Sequence, residues 1–167
     1  MDVALKWSND TWQADLVLQG GLLLVDNTLE TAVIISFFSN RRAEPDDVLP
    51  NEDPNHPGGG DPQGWWGDWY MGQMLAQQQA VPGTTKPPAF RLGSRFWLLS
   101  RSKETADVLA KAQQYGQEAL QWMLDYGIAS AVTVTSEIVR EGVLGVTAQI
   151  ARGRTVETYK YQFAWGA

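Results

Sequence analysis

The residues with the clearest capacity for chemistry are seven carboxylates, Glu44, Asp46, Asp47, Glu52, Asp53, Asp61 and Asp68, crowded into one stretch beside Trp65, Trp66 and Trp69. Two acids at a fixed separation suffice for glycoside hydrolysis, one donating a proton and the other acting as nucleophile or base. Catalytic carboxylates need a rigid frame, however. These acids are interspersed with Pro45, Pro50, Pro54, Pro57 and Pro62 and with Gly58-Gly59-Gly60, which is the composition of irregular backbone. Asp46-Asp47 and Glu52-Asp53 also lack the Asp-x-Asp-x-Asp-Gly pattern of a calcium loop. The stretch reads as a solvated acidic loop.

Other reaction classes lack their residues. His56, the sole histidine, sits between Asn55 and Pro57 beside the glycine run, the position of an exposed loop side chain rather than a held base. There is no cysteine, which excludes thiolate nucleophiles, thiolate metal sites and disulfides. Neither Gly-x-Ser-x-Gly nor Gly-x-x-x-x-Gly-Lys-[Ser/Thr] occurs. The expectation is a protein without catalysis, metal or cofactor. The net charge of −6 is local: the seven acids between Asn40 and Asp68 against Arg41 and Arg42 supply −5 of it. No basic cluster offers the footprint of nucleic-acid binding. No apolar run approaches a membrane span, and Met1-Asp2-Val3 does not begin a signal peptide. A chain made and used in the cytoplasm is expected, with no nucleic acid and no membrane as partner.

The elements that must position these groups fall on either side of the acidic stretch. A chain of 167 residues fits one domain, 1–167, with a core of its own. All eight prolines lie between Pro45 and Pro88, so an irregular insertion is placed at about 40–89. Three tryptophans within Trp65–Trp69 argue that it is ordered, and tryptophan is enriched at binding hot spots. The insertion therefore reads as a structured connection or contact surface, with a short helix over Tyr70–Gln79 and its most flexible point at Gly58-Gly59-Gly60.

Before it, Val3, Leu5 and Trp7 alternate with polar or small residues, Ser8-Asn9-Asp10 turns, and Trp12, Ala14, Leu16 and Leu18 alternate again, which is a β-hairpin. Gly20-Gly21 breaks it and Leu22–Val25 predicts a further short strand. Asn27 with Glu30 forms a capping box, so a helix is expected from Thr28, with Leu29, Val33, Ile34 and Phe37 on its buried face and Asn40-Arg41-Arg42 at its end. After it, Phe90, Leu92 and Phe96–Leu99 read as core, with Gly93-Ser94-Arg95 opening a short helix. Val108, Ala112, Tyr115, Ala119, Trp122 and Tyr126 form the seam of a long helix capped by Ser102 and stopped by Gly127. Gly116 on that seam predicts close approach by another backbone. Three strands close the chain: Val132–Ile138, Leu144–Ile150 and Thr155–Trp165, the last with an aromatic row at Tyr159, Tyr161, Phe163 and Trp165. The fold class is α+β, a small mostly antiparallel sheet with two main helices and a long Pro/Gly/Trp-rich insertion. The last strand reads as an underprotected sheet edge, the alternative being that it is central and Val132–Ile138 is the edge.

Several segments together resemble one family: Asp2-Val3-Ala4-Leu5, Leu29-Glu30-Thr31-Ala32-Val33, Arg41-Arg42-Ala43-Glu44-Pro45-Asp46-Asp47, Gly64-Trp65-Trp66-Gly67-Asp68, Gly93–Leu99 and Glu118-Ala119-Leu120-Gln121-Trp122. The chain resembles the Mu-type phage baseplate proteins, which are distantly similar to the sheath initiators of contractile tails, the lysozyme-like wedge proteins whose old name implies no cleavage. The resemblance implies a non-enzymatic structural subunit of a virion tail baseplate, assembled in the host cytoplasm. Six copies would surround the tail tube and touch the tail sheath protein, other wedge proteins and tube or hub proteins. It also implies a Glu-Pro-Arg constellation that supports the core, to which Arg42, Glu44 and Pro45 are the nearest match, with Arg41 as the alternative arginine. Interface candidates are Trp65, Trp66, Asp68 and Trp69 in the insertion and Thr158, Lys160 and Gln162 on the last strand, where a sheath arm would add as a strand. The competing reading is a tail-associated carbohydrate-binding module that stacks sugars on Trp65, Trp66 and Trp69.

Overall fold

A computed structural model describes residues 2–50, 52, 53, 55, 60–68, 70, 74, 91–100, 102 and 105–164. Most of the predicted Tyr70–Gln79 helix lies outside the described residues, as do Gly58, Gly59, His56, Trp69 and Trp165. No described helix is long and apolar enough to cross a membrane.

Alternation of β-branched and polar residues over the last third of the chain produces the main sheet. Taking the amino-terminal strands introduced below as β1 to β6, its strands are β7 (Ala131–Arg140), β8 (Val143–Arg152) and β9 (Thr155–Ala164), antiparallel in the order β7-β8-β9. Gly142 and Gly153 adopt φ of 72° and 59° in the two connecting turns, a region in which a side chain is strained. Val132, Val134, Leu144, Val146, Ala148, Ile150 and Tyr161 are buried on one face, while Thr133, Thr135, Gln149, Thr158 and Lys160 are exposed on the other. Burying one face and wetting the other fixes the register, because a one-residue slip would exchange the two sets.

Two helices cover the apolar face. α1 spans Glu30–Phe38 and buries Val33, Ile34 and Phe37. Its cap is Asp26 rather than Asn27: the Asp26 carboxylate accepts the backbone N–H groups of Thr28 (2.7 Å) and Thr31 (2.9 Å). No basic residue lies in the last turn, because the chain becomes extended at Ser39 and carries Arg41 off to an ion pair. The long seam is realised as α2 (Ala106–Ala119) and a short α3 (Gln121–Asp125), with a break at Leu120. Thr105, not Ser102, caps α2 by accepting the N–H of Val108, and Gly127 follows α3 at φ 68°. Gly116 is closely approached, but by side chains: a Cβ there would lie 2.8 Å from Val134 Cγ1 and 3.3 Å from Phe96 Cζ.

The first 26 residues depart from the predicted hairpin plus strand. They form three two-stranded ribbons: β1 (Asp2–Val3) with β6 (Val25–Asp26), β2 (Leu5–Ser8) with β3 (Gln13–Leu16), and β4 (Leu18–Gln19) with β5 (Leu22–Leu23). The ribbons meet at a closed triangle of backbone hydrogen bonds. Ala4 N–H donates to Leu24 O (2.8 Å), Leu24 N–H to Val17 O (2.8 Å) and Val17 N–H to Ala4 O (3.0 Å). Each strand thus exchanges one partner for another without leaving an orphaned group. Thr31 of α1, itself buried, locks the vertex by accepting the Leu5 N–H (3.0 Å) and donating to Val3 O (3.4 Å).

The aromatic row of β9 joins these layers. Tyr161 meets Phe37 and Phe38 edge-on with centroids 6.0 and 5.6 Å apart, Phe163 meets Phe38 at 5.4 Å, and Trp7 of β2 stacks on Phe38 at 3.6 Å. Tyr159 takes the N–H of Leu29 on its hydroxyl (3.1 Å) and donates that hydroxyl to Glu157. Burial and the carboxylate push its pKa up to about 12.

Two outcomes follow from this arrangement. The Tyr161 hydroxyl is buried with no hydrogen-bond partner among the described residues, and burial raises its pKa. Tyr161→Phe removes an unpaired polar group, so it is expected to raise stability by about 1 kcal/mol, read as a higher urea midpoint at unchanged slope. Burial alone would raise the Asp26 carboxyl, but the hydrogen bonds from Thr31 and Thr28 hold it down to about 2, against an ordinary 3.8. A depressed carboxyl contributes stability above its unfolded pKa that is lost as pH falls through its folded value. Asp26→Asn is therefore expected to flatten the acid limb between pH 3.8 and about 2 in melts across pH, and an unchanged limb would assign that slope elsewhere.

Candidate functional site

The structure brings the Gly93-Ser94-Arg95 segment against the residues that follow α1. Asn40 and Ser94 form an isolated parallel bridge, Ser94 N–H donates to Ser39 O (2.9 Å) and Arg41 N–H to Ser94 O (2.9 Å). The Ser94 hydroxyl donates to Phe37 O at the end of α1 (2.6 Å), replacing a helical partner. Gly93 adopts φ 96°, and a Cβ there would fall 2.2 Å from the Ser39 carbonyl oxygen. Only glycine fits. After this corner, Phe96–Leu99 turn as one 3-10 segment that sends Phe96, Leu98 and Leu99 into the core, while the Trp97 indole N–H donates to Arg41 O (2.9 Å).

Two guanidinium groups converge on one carboxylate of α2. Arg41 Nη2 lies 3.0 Å from Glu118 Oε1, and Arg95 contacts Glu118 Oε2 through Nε (3.0 Å) and Nη2 (2.9 Å). Arg95 Nη1 reaches both oxygens of Asp47, at 3.0 and 2.8 Å, and its guanidinium lies over the Tyr115 ring, 4.6 Å from the centroid. Burial lowers the Arg41 pKa although Glu118 opposes it. Burial would lower Arg95 too, but its hydrogen bonds to Asp47 and the charge of Glu118 raise it on balance. Both stay cationic at any working pH.

The predicted core-support residues are divided by this geometry. Glu44 pairs with Arg41 and Arg91, and Arg42 is exposed, its backbone packed against Gly64. Arg41 rather than Arg42 therefore accompanies Glu44. Pro45 is exposed at the second position of a turn closed by Asp47 N–H to Glu44 O (3.0 Å), where its fixed φ suits the turn. That turn presents Asp47 to Arg95. No group of three or more His, Asp or Glu side chains among the described residues is placed to hold a metal, and the acids nearest the core are matched by arginines.

In the insertion, Asp68 accepts the Leu92 N–H (3.0 Å) and so faces inward. Trp66 is 86% exposed. Trp65 is half-buried with its ring over Gly67, where a Cβ would come 2.4 Å from Cη2, and it is not among the side chains packed on the core. A lid over α1 is thus not what these two residues form. Their rings meet at 51°, with centroids 5.7 Å apart, and do not make one flat stacking platform.

β8 is central and β9 is an edge of the main sheet. Gln162 turns its N–H to Asn9 Oδ1 (2.8 Å) and its carbonyl to the Trp7 indole N–H (2.9 Å). By strand alternation Val156, Thr158 and Lys160 turn their peptide groups the same way, and among the described residues these outward groups meet no partner. The other edge is closed differently. Gln117 of α2 accepts the Val134 N–H (3.2 Å) and donates to Val132 O (3.0 Å), and the register shifts between Ile138 and Arg140. A side-chain amide standing in for a strand and a bulge are both recognised ways of blunting an edge.

Sequence reasoning missed Arg95, Glu118 and Tyr115 as a unit, although Tyr115 and Glu118 are three apart on one helix face and Arg95 ends the Gly-Ser-Arg motif. Leu16, Leu18, Leu22 and Leu23, read from the sequence only as strand residues, are all exposed.

Comparison with known proteins adds an independent line. A family model described as phage protein GP46 matches residues 29–156. The chain is 37% identical over 143 residues to the baseplate protein gp46 of Escherichia phage Mu, covering 86% of this chain and 81% of that protein. It is 34% identical, with the same coverage, to the Mu-like prophage FluMu protein gp46 of Haemophilus influenzae. No solved structure matches.

The ion-pair geometry separates the adjacent arginines. The Arg41 side chain is 16% exposed and faces Glu118, so Arg41→Ala, which leaves Glu118 to Arg95 alone and empties a half-buried position, is expected to cost about 1 to 2 kcal/mol. Arg42→Ala is expected to cost less than about 0.5 kcal/mol. Chemical denaturation of the two variants side by side checks this, and equal losses would contradict the assignment.

Proposed function

The chain belongs to the phage protein GP46 family, and from that membership we infer that it is a structural subunit of a phage tail baseplate. Its more specific task is to start the contractile sheath, by offering the open edge of β9 to an extended arm of the first sheath subunits. One observation carries this reading: among the described residues the outward peptide groups of Val156, Thr158 and Lys160 meet no partner, while the opposite edge is blunted by Gln117 and a bulge. An added strand supplies those hydrogen bonds. The aromatic side chains of β9 point into the core, so strand addition need not disturb them. Copies arranged sixfold around the tube would present six such edges, with wedge and tube or hub proteins meeting other faces. Trp66 is suited to one of those contacts, because a nearly fully exposed indole is a large apolar surface held at low entropic cost.

The test is a proline on the open edge. Thr158 N–H faces away from β8, so Thr158→Pro deletes a donor that the monomer does not use. The variant is expected to fold, to enter baseplates and to fail to nucleate sheath, seen as sheathless tails by electron microscopy. Tyr159→Pro, one residue along, removes a ladder donor and is expected to unfold. Full-length sheath on Thr158→Pro baseplates would overturn the proposal.

A further inference from the structure

The strongest surface feature is one that neither the core nor the β9 edge uses. β4 and β5 form an arm closed by Gly20-Gly21, with φ of 60° and 80° in a two-residue hairpin turn. Leu18 stands opposite Leu23, placing both on one face, and Leu22 stands opposite Gln19 on the other. Leu16, Leu18, Leu22 and Leu23 are 51%, 65%, 75% and 51% exposed, and Leu24 and Val25 follow at 38% and 42%. Together, over the two faces, they leave on the order of 500 Å² of apolar surface in water. Strands that are apolar on both faces are characteristic of sheets covered on both sides.

We propose that this arm is a docking element clasped on both faces by an apolar, basic-rimmed cleft of a different baseplate protein. The inference rests on the baseplate reading for where the partner is found, and not on strand addition to β9. Two observations choose the occupant. Laying one face of the arm against its twin in a second copy would leave the other face wet, and the area is below the roughly 800 Å² per partner of a stable interface. Charge then sets the rim of the partner. From Met1 to Asn40 the chain carries Asp2, Asp10, Asp15, Asp26 and Glu30 against a single cationic side chain, Lys6, which stands opposite Asp15. A predominantly acidic surround is complemented by a basic one and is repelled by an anionic lipid surface or by the same acidic arm of a second copy.

The test uses the full chain in phage-producing cells. A photocrosslinking p-benzoylphenylalanine is placed at Leu22 and assembled particles are irradiated. The expected product joins this chain to one different baseplate protein, at a peptide flanked by lysine or arginine. Crosslinks to a second copy, to lipid or to nothing would overturn the proposal. In parallel, Leu18→Ser/Leu22→Ser/Leu23→Ser is expected to melt no lower than the parent and to enter particles at least about tenfold less, the equivalent of one lost buried leucine. Should that variant fail to fold, Leu22→Asp alone, at the most exposed leucine, is expected to show the same loss of entry with an unchanged melt. Normal entry of a folded arm variant refutes the docking role. Asp15→Lys is expected to lower entry several-fold, and unchanged or improved entry would refute the basic rim. Thr158→Pro protein is expected to be present in sheathless particles, whereas arm variants are absent from particles, so either idea can fail without the other.

Discussion

One carboxylate shared by two guanidinium groups holds this protein together where regular structure does not. The described residues after α1 and before α2 have almost no ladder of their own, and they are fastened to α2 because Glu118 takes Arg41 on one oxygen and Arg95 on the other. Desolvating three charges costs free energy that only close, directional contacts offset. Here Asp47 takes the remaining face of Arg95 and Tyr115 lies beneath it. Take away the shared acid and two partly buried cations are left beside one another, with the corner at Gly93-Ser94 losing its attachment to the helix.

The acidic stretch thereby acquires a different meaning. A run of carboxylates next to tryptophans suggests cleft chemistry, yet Asp47 and Glu44 are matched by arginines, and Asp68 is occupied by the Leu92 amide. Their work is to give an irregular connection specific attachments. Surfaces left unmatched lie elsewhere, on the outer edge of β9 and on the leucines of the β4–β5 arm.

How far the sequence could be read follows from the range of each interaction. The α+β class, the three long strands, their turns at Gly142 and Gly153 and the buried face of α1 were legible, because alternation and periodicity are local and the two sides of each element differ in polarity. Helix ends were read one to three residues off where a neighbouring acid or hydroxyl competed for the same amides: Asp26 displaced Asn27, and Thr105 displaced Ser102. Of the candidate site, Glu44 and the Gly-Ser-Arg segment were visible as motifs. The choice of Arg41 over Arg42 was not, because it depends on an acid 77 positions away on α2. Nor was the amino-terminal junction, since alternation specifies that a strand exists and is silent on where it changes partner. The exposure of the leucines of β4 and β5 was not legible either, as an apolar run looks the same whether its cover is its own chain or another.

That junction has a mechanical consequence. In an ordinary hairpin, tension at the open end parts the rungs in succession, and the peak force is that of a single rung. At Ala4, Val17 and Leu24 the three amides close a ring, and Thr31 bolts the ring to α1. Pulling on any one ribbon loads bonds that point in three directions, so they share the tension and yield together or not at all. The three ribbons are thereby tied at one node to α1, and none of them can be peeled away without loading the other two.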